Sequence, residues 1–130
     1  MRAAARVGAL VVAACLAMPH VAAADVCRPA YLELKQRDAE TFDVLWKVPA
    51  IGETMRLGIH VRFPAGTTNL TEPRGAFING AFVERWTIRR PGGLAGAEVV
   101  IDGLPGSITD VLARVERLDD TTQVARLLPQ

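Results

Sequence analysis

Apolar side chains recur at every second position in two long stretches of this chain. The apolar faces of residues 41–48 and 56–63 consist of Phe42, Val44, Trp46 and Val48, and of Leu57, Ile59, Val61 and Phe63. Most of the intervening side chains are polar or charged, among them Asp43, Lys47, His60 and Arg62. Successive side chains of a β-strand project to opposite faces of a sheet, so this alternation predicts half-buried strands and not helices.

Five further stretches have the composition of strands, and turn signals lie between them. The stretches are 30–35, 81–89, 97–101, 110–118 and 123–128, and segments combining Pro and Gly occur at 64–66, 73–75, 91–93 and 104–106. Asp119-Asp120-Thr121 predicts a hairpin between the last two strands. About seven short strands separated by turns predict an all-β fold, an antiparallel β-sandwich of the immunoglobulin-like kind.

Residues 110–118 leave one alternative open. They also fit a helix with Thr109 as its N-cap, which would interrupt the run of strands. The β-branched side chains of Val111 and Val115 favour the strand.

The N-terminus has the features of an export signal. A short basic segment with Arg2 and Arg6 precedes the uncharged, mostly apolar run 7–18, and Pro19 then breaks the helix that this run would form. The small residues at 22–24 offer a cleavage site. The apolar run is shorter than the roughly 20 residues that span a bilayer. We therefore expect a signal peptide at 1–24 and one periplasmic or secreted β-sandwich domain at 25–130, without a transmembrane segment.

The two cysteines fall on either side of the expected cleavage site. Val12-Ala13-Ala14-Cys15 resembles a lipobox, in which Cys15 would carry a lipid anchor. The later Pro19 and the small residues at 22–24 would then have no role, so cleavage after Ala24 is favoured. The mature chain keeps Cys27 alone, which excludes an intramolecular disulfide and favours a buried, inert thiol.

Charge and residue types exclude several function classes. Without the signal the chain has 13 basic and 14 acidic residues, and it lacks the basic clusters of a nucleic-acid-binding surface. The mature part has one His, His60, and one Ser, Ser107, so no Ser-His-Asp set can form. His60 lies between Arg56 and Arg62, where a solvated side chain is expected. These observations predict a protein that is not an enzyme.

Metal binding stays open as an alternative. Cys27 and His60 are too few ligands for a structural zinc site. After cleavage at Ala24, however, Cys27 becomes the third residue, and the free amine, two backbone amides and the thiolate could form a square-planar nickel or copper site. The main expectation is no cofactor, with a metal chaperone as the alternative function.

Aromatic residues supply the candidates for the core and for a partner surface. Trp46, Phe63 and Trp86 are expected in the core. If Trp46 or Trp86 were exposed, it would be the best candidate for a partner surface, because aromatic residues are enriched at the centres of interfaces.

An ordered series of motifs resembles one family. The segments are RPAYLEL (28–34), DVLWKVP (43–49), ERW (84–86), PGGLAG (91–96), TDVLARVE (109–116) and DDTTQ (119–123). Together they resemble the N-terminal extracytoplasmic region of the HupE/UreJ membrane proteins of bacteria. The resemblance implies a Gram-negative periplasm, hydrogenase or urease accessory functions including nickel or cobalt uptake, and a membrane or periplasmic protein partner. Family members continue into several transmembrane helices that carry the metal motif, so no transport residue can be assigned here. They also often carry a His just before the first motif, where this chain has Asp25-Val26-Cys27.

Overall fold

The computed structural model describes residues 28–107 and 109–129, so the expected signal peptide, Cys15 and Cys27 lie outside the described residues. The strands are β1 (Ala30–Gln36), β2 (Thr41–Ile51), β3 (Met55–Arg56), β4 (His60–Arg62), β5 (Thr68–Asn69), β6 (Arg74–Ile78), β7 (Ala81–Arg89), β8 (Val100–Asp102), β9 (Val111–Glu116) and β10 (Thr122–Leu127). A short 3-10 helix at Leu104–Gly106 precedes β9.

The described residues form two sheets, and the predicted all-β class is confirmed. The first has the order β10-β9-β1-β2-β7-β5, with β3 paired to β2 and β6 paired to β7. The second contains only β4 and β8. The sandwich is therefore uneven, because the second layer is much smaller than the first.

Alternation along the strands places the core between these sheets, as predicted. Leu32 on β1 lies opposite Trp46 on β2, and their side chains are 3% and 1% exposed. On the other side of the core, Ile59, Ile101 and Leu104 are buried in or beside the small sheet. Burial of these side chains supplies most of the favourable free energy of such a fold.

One pairing differs from the expected antiparallel arrangement, because β1 and β9 run parallel and make the first sheet mixed. The backbone N–H of Ala30 donates to the carbonyl of Asp110 at 2.8 Å, and the buried Thr109 hydroxyl donates to the carbonyl of Arg28 at 2.7 Å. These bonds fix the start of β9 beside the start of β1. Side-chain alternation indicates which face is buried but carries no information on strand direction.

The open alternative at 110–118 is resolved in favour of a strand. β9 occupies Val111–Glu116, and Val111 is fully buried. The predicted hairpin to β10 is confirmed: the N–H of Arg117 donates to the carbonyl of Thr121 at 2.9 Å, and Asp120 adopts a positive φ of 64° in the turn.

The predicted strand at 56–63 is divided between the two sheets. Its first part belongs to β3, which forms a hairpin with β2, and its second part is β4, which pairs with β8. The chain crosses from one layer to the other at Gly58, whose carbonyl packs closely against Gly103. Ile59 keeps its predicted inward direction and is 1% exposed.

Candidate interaction site

The strand β10 forms one edge of the large sheet and pairs only with β9 among the described strands. In an antiparallel pair the residues alternate between those that bond to the partner strand and those that do not. The bond from Arg117 to Thr121 sets this alternation, so Gln123, Ala125 and Leu127 direct their backbone groups to β9. The N–H and C=O groups of Thr122, Val124 and Arg126 therefore point away from the sheet.

No other described element covers the core-facing side of β10. Gln123 and Ala125 lie on the same face as Leu127, which packs against the core, yet both are exposed. A cavity of about 540 Å³ lies beneath this part of the sheet. We call it the groove; its wall on the sheet side includes Leu32, Leu34, Ala113, Val115, Ala125 and Leu127, and the opposite wall includes Gly92–Ala97, Val99 and Ile101.

The groove is apolar along its length and polar only at one mouth. There the Arg117 guanidinium donates to the Gln123 Oε1 atom at 2.5 Å, and the Gln36 Oε1 atom accepts from the N–H of Leu118 at 3.3 Å. These polar side chains already have partners within the chain. The groove is therefore suited to apolar groups rather than to a charged ligand.

Glu40 fixes the loop that forms the second wall of the groove. Its carboxylate accepts from the N–H of Gly92 at 2.8 Å and from the Arg89 guanidinium at 2.7 Å. The Gly92 N–H, with help from Arg89, lowers the pKa of this carboxyl group. Gly93 then passes so close to the carbonyl of Ala39 that a Cβ atom would lie 2.6 Å from its oxygen, which only glycine tolerates. The position of the loop is thus set by local contacts.

Four exposed apolar side chains lie near the tips of two hairpins, a region that we call the hairpin end. It consists of Ile51, Met55, Phe77 and Ile78, which are 51%, 61%, 42% and 51% exposed. The N–H of Ala50 donates to the carbonyl of Gly80 at 3.0 Å and ties the two hairpins together.

Stacked side chains support this hairpin end from below. The rings of Phe77 and Phe82 meet edge to face with centroids 4.8 Å apart, and the Arg56 guanidinium lies 4.4 Å from the Phe82 centroid. Arg56 also pairs with Glu84 at 2.5 Å in a half-buried position. These contacts account for the hairpin end as packing between hairpins, and they indicate no ligand.

The two tryptophans occupy different positions. Trp46 is 1% exposed, so it belongs to the core as expected and cannot contribute to a partner surface. Its indole N–H is buried without a hydrogen-bond partner among the described residues. Trp86 is half-buried and packs edge to face against Phe63 at 6.3 Å. Trp86 therefore stabilises the rim of the core and retains a partly accessible face.

His60 is exposed on β4, as expected, and lines a small cavity of about 230 Å³ together with Trp46, Glu84 and Trp86. Within residues 28–107 and 109–129, no group of three or more His, Cys, Asp or Glu side chains could hold a metal ion. His60 is thus not brought to other metal ligands in that part of the chain, and the proposed site at Cys27 lies outside it.

In comparisons with known proteins, no protein-family model and no curated protein matches the chain. In the part of the chain that the structure describes, no helix has the length and apolar character needed to cross a membrane. Sequence reasoning identified neither the groove nor the edge of β10, because both depend on the order of the strands.

Proposed function

We propose that this protein is a non-catalytic, exported interaction module that binds a membrane or periplasmic protein, as the extracytoplasmic region of the HupE/UreJ proteins is expected to do. The observation that carries the proposal is the apolar groove, which remains open because the small second sheet does not extend beneath β10. An open apolar pocket with few polar groups is the usual form of a binding site.

The ion pairs and hydrogen bonds of three acidic side chains support a non-catalytic role. Glu84 pairs with Arg56, Glu40 with Arg89, and Asp43 accepts hydrogen bonds from both Arg37 and Thr87. General acid–base catalysis needs a titratable group that faces a space for substrate with a matched pKa. The carboxylates here are instead engaged in holding neighbouring strands, and the groove is lined by apolar groups.

Export to the periplasm is part of the proposal and rests on the basic segment, apolar run and small residues of positions 1–24. Sequencing the N-terminus of the periplasmic product tests it directly. A product that starts at Asp25 supports the proposal, and a full-length chain retained in the cytosol contradicts it.

Site-specific crosslinking in living cells tests binding at the groove. A photo-crosslinking phenylalanine analogue is placed at Ala125, in the groove, and at Ala76, an exposed strand alanine on the opposite face of the same sheet. We expect one discrete adduct with a membrane or periplasmic protein from position 125 and none from position 76. No adduct, or the same adducts from both positions, would contradict the proposal.

A further inference from the structure

We propose that the free edge of β10 and the groove form one strand-addition site, which accepts an extended segment of the partner protein in antiparallel pairing with Thr122, Val124 and Arg126. This inference rests on the proposed function and adds the form in which the partner binds. Strand addition at an exposed sheet edge is a recurrent mode of peptide recognition, in which main-chain hydrogen bonds supply affinity and side-chain pockets supply specificity.

The outward backbone groups of β10 are available for such pairing. Three alternate residues direct an N–H and a C=O away from β9, and these groups have no hydrogen-bond partner among the described residues. Natural edge strands are usually protected by Pro, bulges or outward charges. β10 contains no Pro, and its one charged side chain, Arg126, is paired with Asp110, the residue just before β9. Val124 is 65% exposed on this unprotected edge.

The groove determines the side chains that an added strand would carry. Residues on the core-facing side of the new strand would lie beside Gln123, Ala125 and Leu127, at the open side of the groove. Apolar side chains at every second position would close it and bury its exposed walls. The alternate positions would lie next to Thr122, Val124 and Arg126 on the solvent face, where polar side chains are suitable. The segment recognised is thus an extended stretch of alternating apolar and polar residues.

A second copy of this chain fits the same edge less well. A symmetric antiparallel pairing centred on Val124 would place Gln123 opposite Ala125 of the second copy on the core-facing side. A polar and a small side chain at these positions would leave the groove largely unfilled. The apolar lining of the groove therefore favours a partner segment with larger apolar side chains.

Binding of a defined peptide tests the inference. The probe is an acetylated, amidated seven-residue peptide that alternates threonine with leucine, titrated into the exported protein while backbone amide signals are followed by NMR. In antiparallel pairing the residues that bond to β10 lie on its solvent face, and these are the threonines. We expect saturable binding that shifts the Val124 signal. Methylation of the threonine amides should abolish binding, and methylation of the leucine amides should not.

A backbone variant of the protein supplies the matched control. Val124→Pro removes an outward N–H without removing a bond to β9, and Val124→Thr keeps that N–H. Losing this hydrogen bond should weaken peptide binding roughly tenfold in the proline variant, with little change in the threonine variant. If Val124→Pro does not fold, the two methylated peptides give the same information on the wild-type protein.

Several results would overturn the inference. These are no peptide binding at millimolar concentration, equal binding of both methylated peptides, loss of binding on leucine methylation alone, or a dimer of the free protein paired through β10. The proposed function fails separately, if no crosslink forms from Ala125 while the peptide binds as expected. If the crosslink from Ala125 persists in Val124→Pro and the peptide still binds as tightly, the inference fails and the proposed function stands, because the groove then binds a partner without strand addition.

Discussion

Replacing Trp46 by alanine removes the largest side chain in the centre of the core. Trp46 is 1% exposed and lies between Leu32 and Glu84 on the neighbouring strands. Truncating a fully buried Trp to Ala typically costs about 3–5 kcal/mol. Because domains of this kind have about 5–15 kcal/mol of stability in total, we expect Trp46→Ala to be recovered in low yield and to unfold at a much lower urea concentration.

Trp46→Phe separates packing from the cost of the buried N–H. The indole N–H has no acceptor among the described residues, and an unpaired buried donor costs about 1–3 kcal/mol. Phenylalanine loses part of the packing but also removes this penalty, so we expect it to lose less than half as much stability as alanine. Urea unfolding followed by far-ultraviolet circular dichroism measures both variants. An unchanged midpoint for Trp46→Ala, or equal losses for the two variants, would refute the reasoning.

Three further predictions concern single residues. Burial and the hydrogen bond to Glu33 raise the pKa of Tyr31, the one tyrosine of the chain, to about 12. Because the folded protein favours the protonated phenol, Tyr31 stabilises the fold below about pH 10, and this stabilisation is lost as the pH rises through 12. An ultraviolet titration of Tyr31 should show a midpoint near 12, and Glu33→Gln should lower that midpoint. A midpoint at the ordinary value would contradict this. Asn79 has a φ of 49°, so Asn79→Ala should cost about 1 kcal/mol and Asn79→Gly little, as measured by thermal melting. Equal melting temperatures of Asn79→Ala and Asn79→Gly would contradict the prediction that the positive φ of this turn disfavours alanine. Ala113 lines the groove, so Ala113→Val should raise stability by about 0.5–1 kcal/mol, and a lower melting temperature would show that the groove has no room for the added methyl groups.

The strands of the core could be predicted because their side-chain period is a local property. Leu32, Val44 and Trp46 lie at alternate positions among mostly polar neighbours, and each is buried as this alternation indicates. The strand at Val111 could also be separated from a helix by its β-branched side chains. These predictions needed no knowledge of which strands are neighbours.

The order and direction of the strands depend on the path of the whole chain. The parallel pairing of Ala30 with Val111 follows only after the chain has passed through β2–β8 and returned along the 3-10 helix. The break of the predicted strand at Gly58 has the same origin, since the chain must change layers there. The open groove is a consequence of this order and of the small second sheet, so alternation could not indicate it.

The hairpin of β6 and β7 was missed although the sequence contains its signal. Asn79-Gly80 is a typical pair for a two-residue hairpin turn, and both residues adopt the positive φ that such a turn requires. Phe77 and Phe82 flank this pair and stack on each other across the hairpin.

Hydrogen exchange along β10 in the isolated protein tests the central claim most directly, because the proposed site requires a free edge. The amides of Gln123, Ala125 and Leu127 donate to β9 and should exchange slowly, while those of Val124 and Arg126 point to solvent and should exchange rapidly. This alternation within one short strand is the result that the account predicts. Uniform protection of all these amides would show that the edge is already covered, and would contradict the account.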